Sequence, residues 1–267
     1  SERVGLTADL LRIHAPLSCF KEIPNYRKEE IGLPGLTYLY ANENRQKAYL
    51  LITSEILGKR YPEKLNCENI EYALERINSI TDVELDVELL LNYGCVSEVH
   101  VTDDLLLSHD PQIYLYALRS IPIPDKINRT PYHKESVRFS TYNKDKRHRF
   151  YLTLYDKYRE IKRHRCRQCE DELFRDVVRI ELKLESAEMI KKYLKIRKKE
   201  PPTIREVLQC HESVNADTFR NVWQKQDIEI PNDDWLEERY RREWNDLLQE
   251  HRDFDGVAAY LRTRLPE

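Results

Sequence analysis

The chain has 267 residues, of which 34% are charged and 40% are hydrophobic, and its formal net charge is −3 at pH 7. That length can build a substantial core in one large domain or two small ones. The six glycines form neither a Gly-x-Gly-x-x-Gly fingerprint nor a Walker loop, which argues against a dinucleotide-dependent dehydrogenase or a nucleotide-driven motor. No apolar run is long enough to cross a bilayer, and the six cysteines show no repeating spacing. We therefore expect a protein of the cytoplasm, a reducing compartment, without membrane contact.

Alternating apolar residues in the first part of the chain predict strands. The predicted strands are 9–14, 36–40 and 48–54, with a polar turn at 42–44. A helix is predicted to begin at 66–69, because apolar residues then recur at a spacing of 3.6. A second helix is predicted over 83–91, and Gly94 ends it.

The middle of the chain predicts a strand, a helix and a hairpin. The predicted ranges are a strand at 95–105, a helix at 108–119, a loop at 121–131, and paired strands at 136–142 and 149–155. In the first of these strands Val99 and Val101 point to one face, while His100 and Asp104 point to the other. Residues 156–169 predict a helix or an extended loop.

The last clear strand pattern covers 177–184, where apolar residues alternate with Arg179, Glu181 and Lys183. Ser186 is predicted to cap a basic helix that runs to about Lys199. Two prolines at 201–202 then indicate a boundary, and the remainder is predicted to be helical. The whole pattern predicts an α+β fold with a largely antiparallel sheet flanked by helices. It divides the chain into a domain of residues 1–200 and a helical C-terminal extension of residues 201–267.

Charge is unevenly distributed along the chain. Basic residues outnumber acidic ones between Arg138 and Arg167, and a second basic run covers 191–199. The negative net charge by itself argues against a general nucleic-acid binder. Local positive charge in such a chain indicates either a directed binding site or a solvated face, and a solvated face is the commoner explanation.

Tyr155 stands beside Lys157 in this basic region, one connection before the strand that carries Arg179 and Glu181. A phenolic oxygen can attack a phosphodiester, but a phenol ionises near pH 10 and needs help from a cation. Lys157 or a metal ion would stabilise the phenolate. Tyr158 is an alternative nucleophile, because residues three apart share a helical face.

A divalent metal ion would take its ligands from the polar faces of two predicted strands. His100, Asp104 and Glu181 form a set that leaves coordination positions open for phosphate oxygens and water. A β-bulge would replace Asp104 by Asp103. Cys166 and Cys169 have the spacing of a zinc knuckle, but Cys210 and His211 are adjacent to each other, so the spacing does not favour zinc.

Several motifs together resemble a known protein family. They are the strand and Leu-Gly turn of 48–60, the stretch 96–105, Arg147-His148-Arg149, the Tyr155-Asp156-Lys157 motif followed by Glu160, and Val178-Arg179-Ile180-Glu181-Leu182. Their order over residues 9–185 resembles the phage and plasmid replication proteins of the filamentous-phage gene II/X family. These are rolling-circle initiators related in broad terms to HUH endonucleases.

The resemblance implies a metal-dependent, site-specific DNA nickase with Tyr155 as nucleophile. Lys157 is the predicted catalytic partner of Tyr155, or equally a solvated cation or a phosphate clamp. Attack would leave a 5′-phosphotyrosyl enzyme and a free 3′-hydroxyl group, and a later strand transfer would close the displaced circle. The chain carries His100 where members of that family often carry Asp. Imidazole is a better ligand for Mn²⁺ than for Mg²⁺, so either metal stays open as the cofactor.

The expected partner is DNA, as an origin hairpin or a single strand. The predicted DNA-binding residues are Arg147, Arg149, Arg159 and Arg179. A host helicase is a candidate partner because the chain lacks a Walker loop, and the oligomeric state stays open. A second interpretation is a non-catalytic module for single-stranded DNA or RNA, in which Tyr155 stacks on a base. A third is a structural protein that uses its C-terminal helices as an interface.

Overall fold

The structure is a computed structural model of the chain. It describes residues 5–23, 32–80, 82–107, 110–120, 127–131, 136–141, 150–164, 171–211, 214–215 and 217–218. The predicted α+β class is confirmed, because a large antiparallel sheet is combined with helices in its connections. Most of the predicted C-terminal extension lies outside the described residues.

Ten strands fall within the described residues. They are β1 (Ala8–Pro16), β2 (Phe20–Glu22), β3 (Leu36–Asn42), β4 (Lys47–Thr53), β5 (Glu84–Leu85), β6 (Cys95–Leu106), β7 (Ile127–Pro131), β8 (Ser136–Thr141), β9 (Phe150–Asp156) and β10 (Val177–Leu184). Eight of them form one sheet in the order β3-β4-β1-β6-β10-β9-β8-β7, and β2 pairs with β5. The strand predictions that correspond to β1, β3, β4, β6, β8, β9 and β10 are confirmed.

The α-helices of the described residues are short. They are α1 (Ile70–Glu75), α2 (Val87–Tyr93), α3 (Pro111–Ser120), α4 (Lys157–His164), α5 (Ala187–Tyr193) and α6 (Ile204–Leu208). Side chains cap the first turns of α2, α5 and α6: Asp86 caps α2, Ser186 caps α5, and Thr203 forms the predicted capping box with Glu206 at α6. Such caps satisfy backbone N–H groups that have no partner inside the helix.

Three predictions about these elements were wrong at their edges. Residues 127–131, predicted as loop, form the edge strand β7 against β8. The second predicted helix begins only at Val87, because Glu84–Leu85 pairs with β2. The basic helix ends at Tyr193 instead of Lys199, since Lys195 adopts a left-handed backbone conformation with φ of 58°.

The chain separates into two compact units, each built from several segments. The first unit comprises residues 1–102, 143–150 and 182–214, and the second comprises 103–142, 151–181 and 215–267. The predicted boundary at 200–201 does not coincide with this division, and α6 belongs to the first unit. The backbone N–H of Val96 donates to the carbonyl of Pro202, and that of Ile204 donates to the carbonyl of Gly94.

Alternation along the strands creates the core of each unit. In β1 of the first unit Leu11, Ile13 and Ala15 are fully buried, while the residues between them are partly or fully exposed. In β9 of the second unit Leu152 and Leu154 are buried, and Tyr151 and Tyr155 are half-buried. None of the helices within the described ranges is long and apolar enough to cross a lipid bilayer.

The turn before β3 supplies a test of this packing. Gly35 has φ of 84°, its carbonyl accepts a hydrogen bond from Thr53, and a Cβ atom there would lie 2.0 Å from the backbone nitrogen of Ile56. We expect Gly35→Ala to lower the free energy of unfolding by at least about 1–3 kcal/mol, the typical cost of backbone strain alone. Urea denaturation measures this loss.

The matched control is Gly32→Ala, because nothing lies within 4 Å of a Cβ atom built at Gly32. This variant should unfold at nearly the same urea concentration as the original chain. Equal stability of the two variants would contradict the close approach of Gly35 to Ile56.

Candidate active site

Tyr155 and Glu181 lie together in the second unit. Tyr155 is near the end of β9, opposite Ser136 of β8, and its hydroxyl group donates to the Oε2 atom of Glu181 at 3.3 Å. Glu181 belongs to β10, which neighbours β9 in the sheet. Two residues that the sequence analysis assigned to one site, 26 positions apart, are thus in direct contact. A carboxylate at this distance can accept the proton of a phenol.

Lys157 brings a buried positive charge to the same tyrosine. It is the first residue of α4, its side chain is 2% exposed, and its Nζ atom lies 5.8 Å from the centroid of the Tyr155 ring. Glu160, one turn later, accepts a hydrogen bond from Nζ at 2.7 Å. This pairing compensates the desolvation of the ammonium group and holds it beside the ring.

Asp156, between Tyr155 and Lys157 in the sequence, fixes the start of α4. Its carboxylate accepts hydrogen bonds from the backbone N–H of Arg159 at 3.0 Å and from the side chain of Gln112 at 3.0 Å. Burial raises the pKa of Asp156, and the hydrogen bonds of Arg159 and Gln112 oppose that shift. The N-cap is recognisable from the sequence, whereas the contribution of Gln112 from α3 is not.

Arg179 was predicted to bind DNA, but its side chain is buried in the protein. Its side chain is 0% exposed, and it donates to both carboxylate oxygens of Asp104 at 2.6 and 2.8 Å. The guanidinium group also lies 5.8 Å from the centroid of the Phe174 ring. A buried, bidentate pair of this kind holds β6 and β10 together, and it does not present the arginine to a phosphate on the surface.

The Arg179–Asp104 pair occupies one of the predicted metal ligands, Asp104. Both oxygens of Asp104 already accept hydrogen bonds from Arg179, so a metal ion would have to compete with a guanidinium group. The alternative ligand Asp103 accepts a hydrogen bond from Asn215 at 2.8 Å. In the described part of the chain, no three His, Cys, Asp or Glu side chains lie together as ligands for one metal ion.

His100, the third predicted ligand, lies in the first unit. Its Nε2 atom is 3.0 Å from the Oε1 atom of Glu98, two residues earlier on β6. Glu98 also pairs with Arg12 at 2.7 Å and with Lys183 at 3.4 Å. Burial raises the pKa of Glu98, but the His100 hydrogen bond and the charges of Arg12, His100 and Lys183 outweigh it and hold that pKa at about 2.

This cluster around Glu98 was missed by the sequence analysis, although a signal was present. Residues two apart on a strand share a face, so Glu98 and His100 necessarily point the same way. His100, Asp104 and Glu181 each contact the protein partner named above, and their role as metal ligands stays a prediction. The dependence on Mg²⁺ or Mn²⁺ stays a prediction.

The remaining predicted residues differ in what the structure shows of them. Arg159 has a side chain 40% exposed, and its Nε atom lies 3.2 Å from Asp156, so it faces solvent at the start of α4. Tyr158 donates to Glu172 at 2.8 Å and contacts Lys162, apart from the Tyr155–Glu181 pair. Arg147, Arg149 and the cysteine pair Cys166 and Cys169 lie outside the described residues.

A comparison of the chain with models of known protein families and with curated proteins finds no match.

The buried Arg179–Asp104 pair gives a prediction about stability. We expect Arg179→Ala to lower the free energy of unfolding by about 3–5 kcal/mol, because it leaves the Asp104 carboxylate without its bidentate partner. Chemical denaturation of the two proteins measures the difference. Arg175→Ala is the matched control, because Arg175 is exposed and pairs only at the surface with Glu172. A loss no larger than that of the control would contradict a stabilising role for the pair.

The Glu98 cluster gives a prediction about pH. The pKa of Glu98 lies below its ordinary value near 4.5, so the ionised carboxylate stabilises the fold. That contribution is complete above about pH 4.5 and is lost as the pH falls towards 2. We expect Glu98→Gln to lower the free energy of unfolding on the order of 3 kcal/mol at neutral pH, and the difference from the original chain should vanish near pH 2.

Urea titrations at a series of pH values measure this difference. Glu71→Gln is the control for removal of one carboxylate, since Glu71 is exposed on α1 outside the cluster. A difference between Glu98→Gln and the original chain that stays constant from neutral pH to pH 2 would rule out the ionised cluster as its source.

Proposed function

We propose that the chain is a DNA-nicking and strand-transfer enzyme that initiates rolling-circle replication, with Tyr155 as its nucleophile. The observation that carries this proposal is the hydrogen bond from the Tyr155 hydroxyl group to Glu181. Tyrosines are usually packing residues, but this one has a carboxylate to take its proton and a buried ammonium group beside its ring. The motif order of the sequence supports the same assignment.

Tyr155, Glu181 and Lys157 could together carry out the cleavage of one phosphodiester bond. The Tyr155 oxygen attacks the phosphorus atom of a phosphodiester and its proton passes to Glu181, while the bond from phosphorus to the 3′-oxygen breaks. The 3′-oxygen takes up a proton from a solvent water molecule and leaves as a hydroxyl group, and the 5′-phosphate stays bound to the tyrosine. Lys157 favours the phenolate because its positive charge lies beside the ring. Attack by the freed or another 3′-hydroxyl group on the phosphotyrosine reverses the reaction and joins strands.

Mg²⁺ or Mn²⁺ is the expected cofactor, and its chemistry would be to neutralise negative charge on the phosphate. The proposed partner is a single-stranded or hairpin DNA origin, with strand separation left to a host helicase. We propose the cytoplasm as the compartment, which agrees with the free thiols of the described residues Cys19, Cys95 and Cys210.

The test is a covalent-adduct assay on circular single-stranded DNA. We expect the original chain to form a protein–DNA adduct and a free 3′-end with Mg²⁺ or Mn²⁺, and to form neither in EDTA. Tyr155→Phe should abolish the adduct, because it keeps the ring and removes only the attacking oxygen. Glu181→Gln should slow adduct formation by about 10²–10⁴-fold, since it removes the proton acceptor.

Two tyrosine variants serve as matched controls. Tyr151→Phe changes a half-buried residue on the same strand and should leave the adduct intact. Tyr158→Phe tests the alternative nucleophile and should also leave it intact. An adduct that survives Tyr155→Phe would refute the assignment. DNA binding without an adduct in every variant would favour the non-catalytic module, and no binding at low salt would favour the structural protein.

A further inference from the structure

Four rings form a continuous row on the sheet of the first unit. Tyr38 and Tyr40 come from β3, Tyr49 from β4 and His14 from β1. The centroid distances between successive rings are 5.7 Å, 5.1 Å and 6.3 Å. Tyr40 and Tyr49 are direct partners across the two strands, and their planes differ by only 14°. We call these four side chains the ring row.

The ring row lies on the outer face of the sheet. The neighbouring residues Leu39, Leu50 and Ile13 are fully buried on the opposite face, as strand alternation requires. Tyr40 is 39% exposed, and the other three rings are half-buried. Rings that pack against each other on a rigid sheet lose little conformational freedom when a flat ligand binds to them.

Cations stand near both ends of the ring row. The positive charge of Arg12 acts on the hydroxyl group of Tyr38, and the Arg12 side chain is 48% exposed although it pairs with Glu98. Lys47 is exposed and acts on His14 at the other end: burial lowers the pKa of His14, and the charge of Lys47 lowers it further. Arg45, in the connection between β3 and β4, is a third exposed cation, two residues after Glu43 in the same turn.

We propose that the ring row is a binding surface for single-stranded nucleic acid. Successive bases would stack on Tyr40 and its neighbours, while Arg12 and Lys47 contact the phosphates. Every base has a flat π-face, so such a surface binds strands with little sequence preference. Uncharged sugars also stack on aromatic rings, but the cations at both ends of the row complement a polyanion. The choice of DNA as the strand rests on the proposed nicking function, whereas the row and its charges rest on geometry.

The experiment measures binding without cleavage. The full chain carrying Tyr155→Phe is titrated against a fluorescent oligothymidylate in EDTA, and fluorescence anisotropy gives the dissociation constant. Tyr40→Ala should weaken binding about tenfold, the typical effect of losing one stacked base. Tyr40→Phe should bind like the parent, because the ring is retained. Lys47→Gln should reduce the slope of log K against log salt concentration by about one.

Tyr72→Ala is the matched control, because Tyr72 is 40% exposed on α1 and lies outside the ring row. It should bind like the parent. Thermal melting of the Tyr40 and Tyr72 variants checks that both are folded, and Tyr40→Phe keeps the test valid if Tyr40→Ala unfolds. Stacking is overturned if Tyr40→Ala binds no more weakly than Tyr72→Ala, or if Tyr40→Phe loses as much affinity as Tyr40→Ala.

The outcomes separate this proposal from the proposed nicking function. Reduced binding of Tyr40→Ala, with no adduct at Tyr155 under any metal condition, would support the ring row and refute nicking. An adduct that forms at Tyr155, with oligothymidylate binding unaffected by Tyr40→Ala, would overturn the ring row alone. Binding of a neutral oligosaccharide in a Tyr40-dependent manner, without binding of DNA, would also overturn the choice of ligand.

Discussion

The second unit depends on one buried ion pair, between Arg179 of β10 and Asp104 of β6. A guanidinium group without solvent exposure carries a desolvation penalty of several kcal/mol, and only good geometry with a carboxylate offsets it. The bidentate contact supplies that geometry and fixes the face that Arg179 occupies. Because residues two apart share a face, it also fixes the side on which Glu181 projects. A slip of one residue in β10 would therefore remove Glu181 from Tyr155.

The few buried charged side chains of this protein are paired inside the fold. Glu98 forms ion pairs with Arg12, His100 and Lys183. The buried Lys157 is paired with Glu160. Arg179 of β10 is therefore not a surface cation, although the sequence motifs predicted that it contacts DNA. The positive charge that a nucleic acid can reach lies on exposed positions such as Lys162 and Arg163 of α4, and Lys47 of β4.

Much of the fold could be predicted from the alternation of apolar and polar residues, because a strand with one buried face has an apolar residue at every second position. The pattern failed at β7, where a proline-containing segment with one apolar residue in five pairs only along a sheet edge. Helix α5 was predicted to be too long. A lysine gives no sequence signal for a left-handed backbone conformation, which Lys195 adopts.

The site was only partly predictable, since distances between strands that are far apart in sequence depend on tertiary pairing. The motif order indicated Tyr155, Lys157 and Glu181, and their contacts agree with a common site. The motif order did not predict that Asp104 and Arg179 bind each other. Glu98 and Gln112 were missed because their roles come from partners on other elements. The ring row needed the register of β3 and β4, which places Tyr40 opposite Tyr49.

The interleaving of the two units along the chain has a consequence for synthesis on the ribosome. The first unit takes its last segment from residues 182–214, after most of the described second unit has already been made. Strands β1, β3 and β4 can pair early, but one edge of β6 stays unpaired until β10 is made, and α2 lacks its contact with α6 until residues 204–208 are made. The nascent chain therefore passes through a long period with unpaired strand edges, when chaperones are most needed. For the same reason, neither unit can be excised as one continuous fragment, and a ribosome that stops before residue 182 releases both units unfinished.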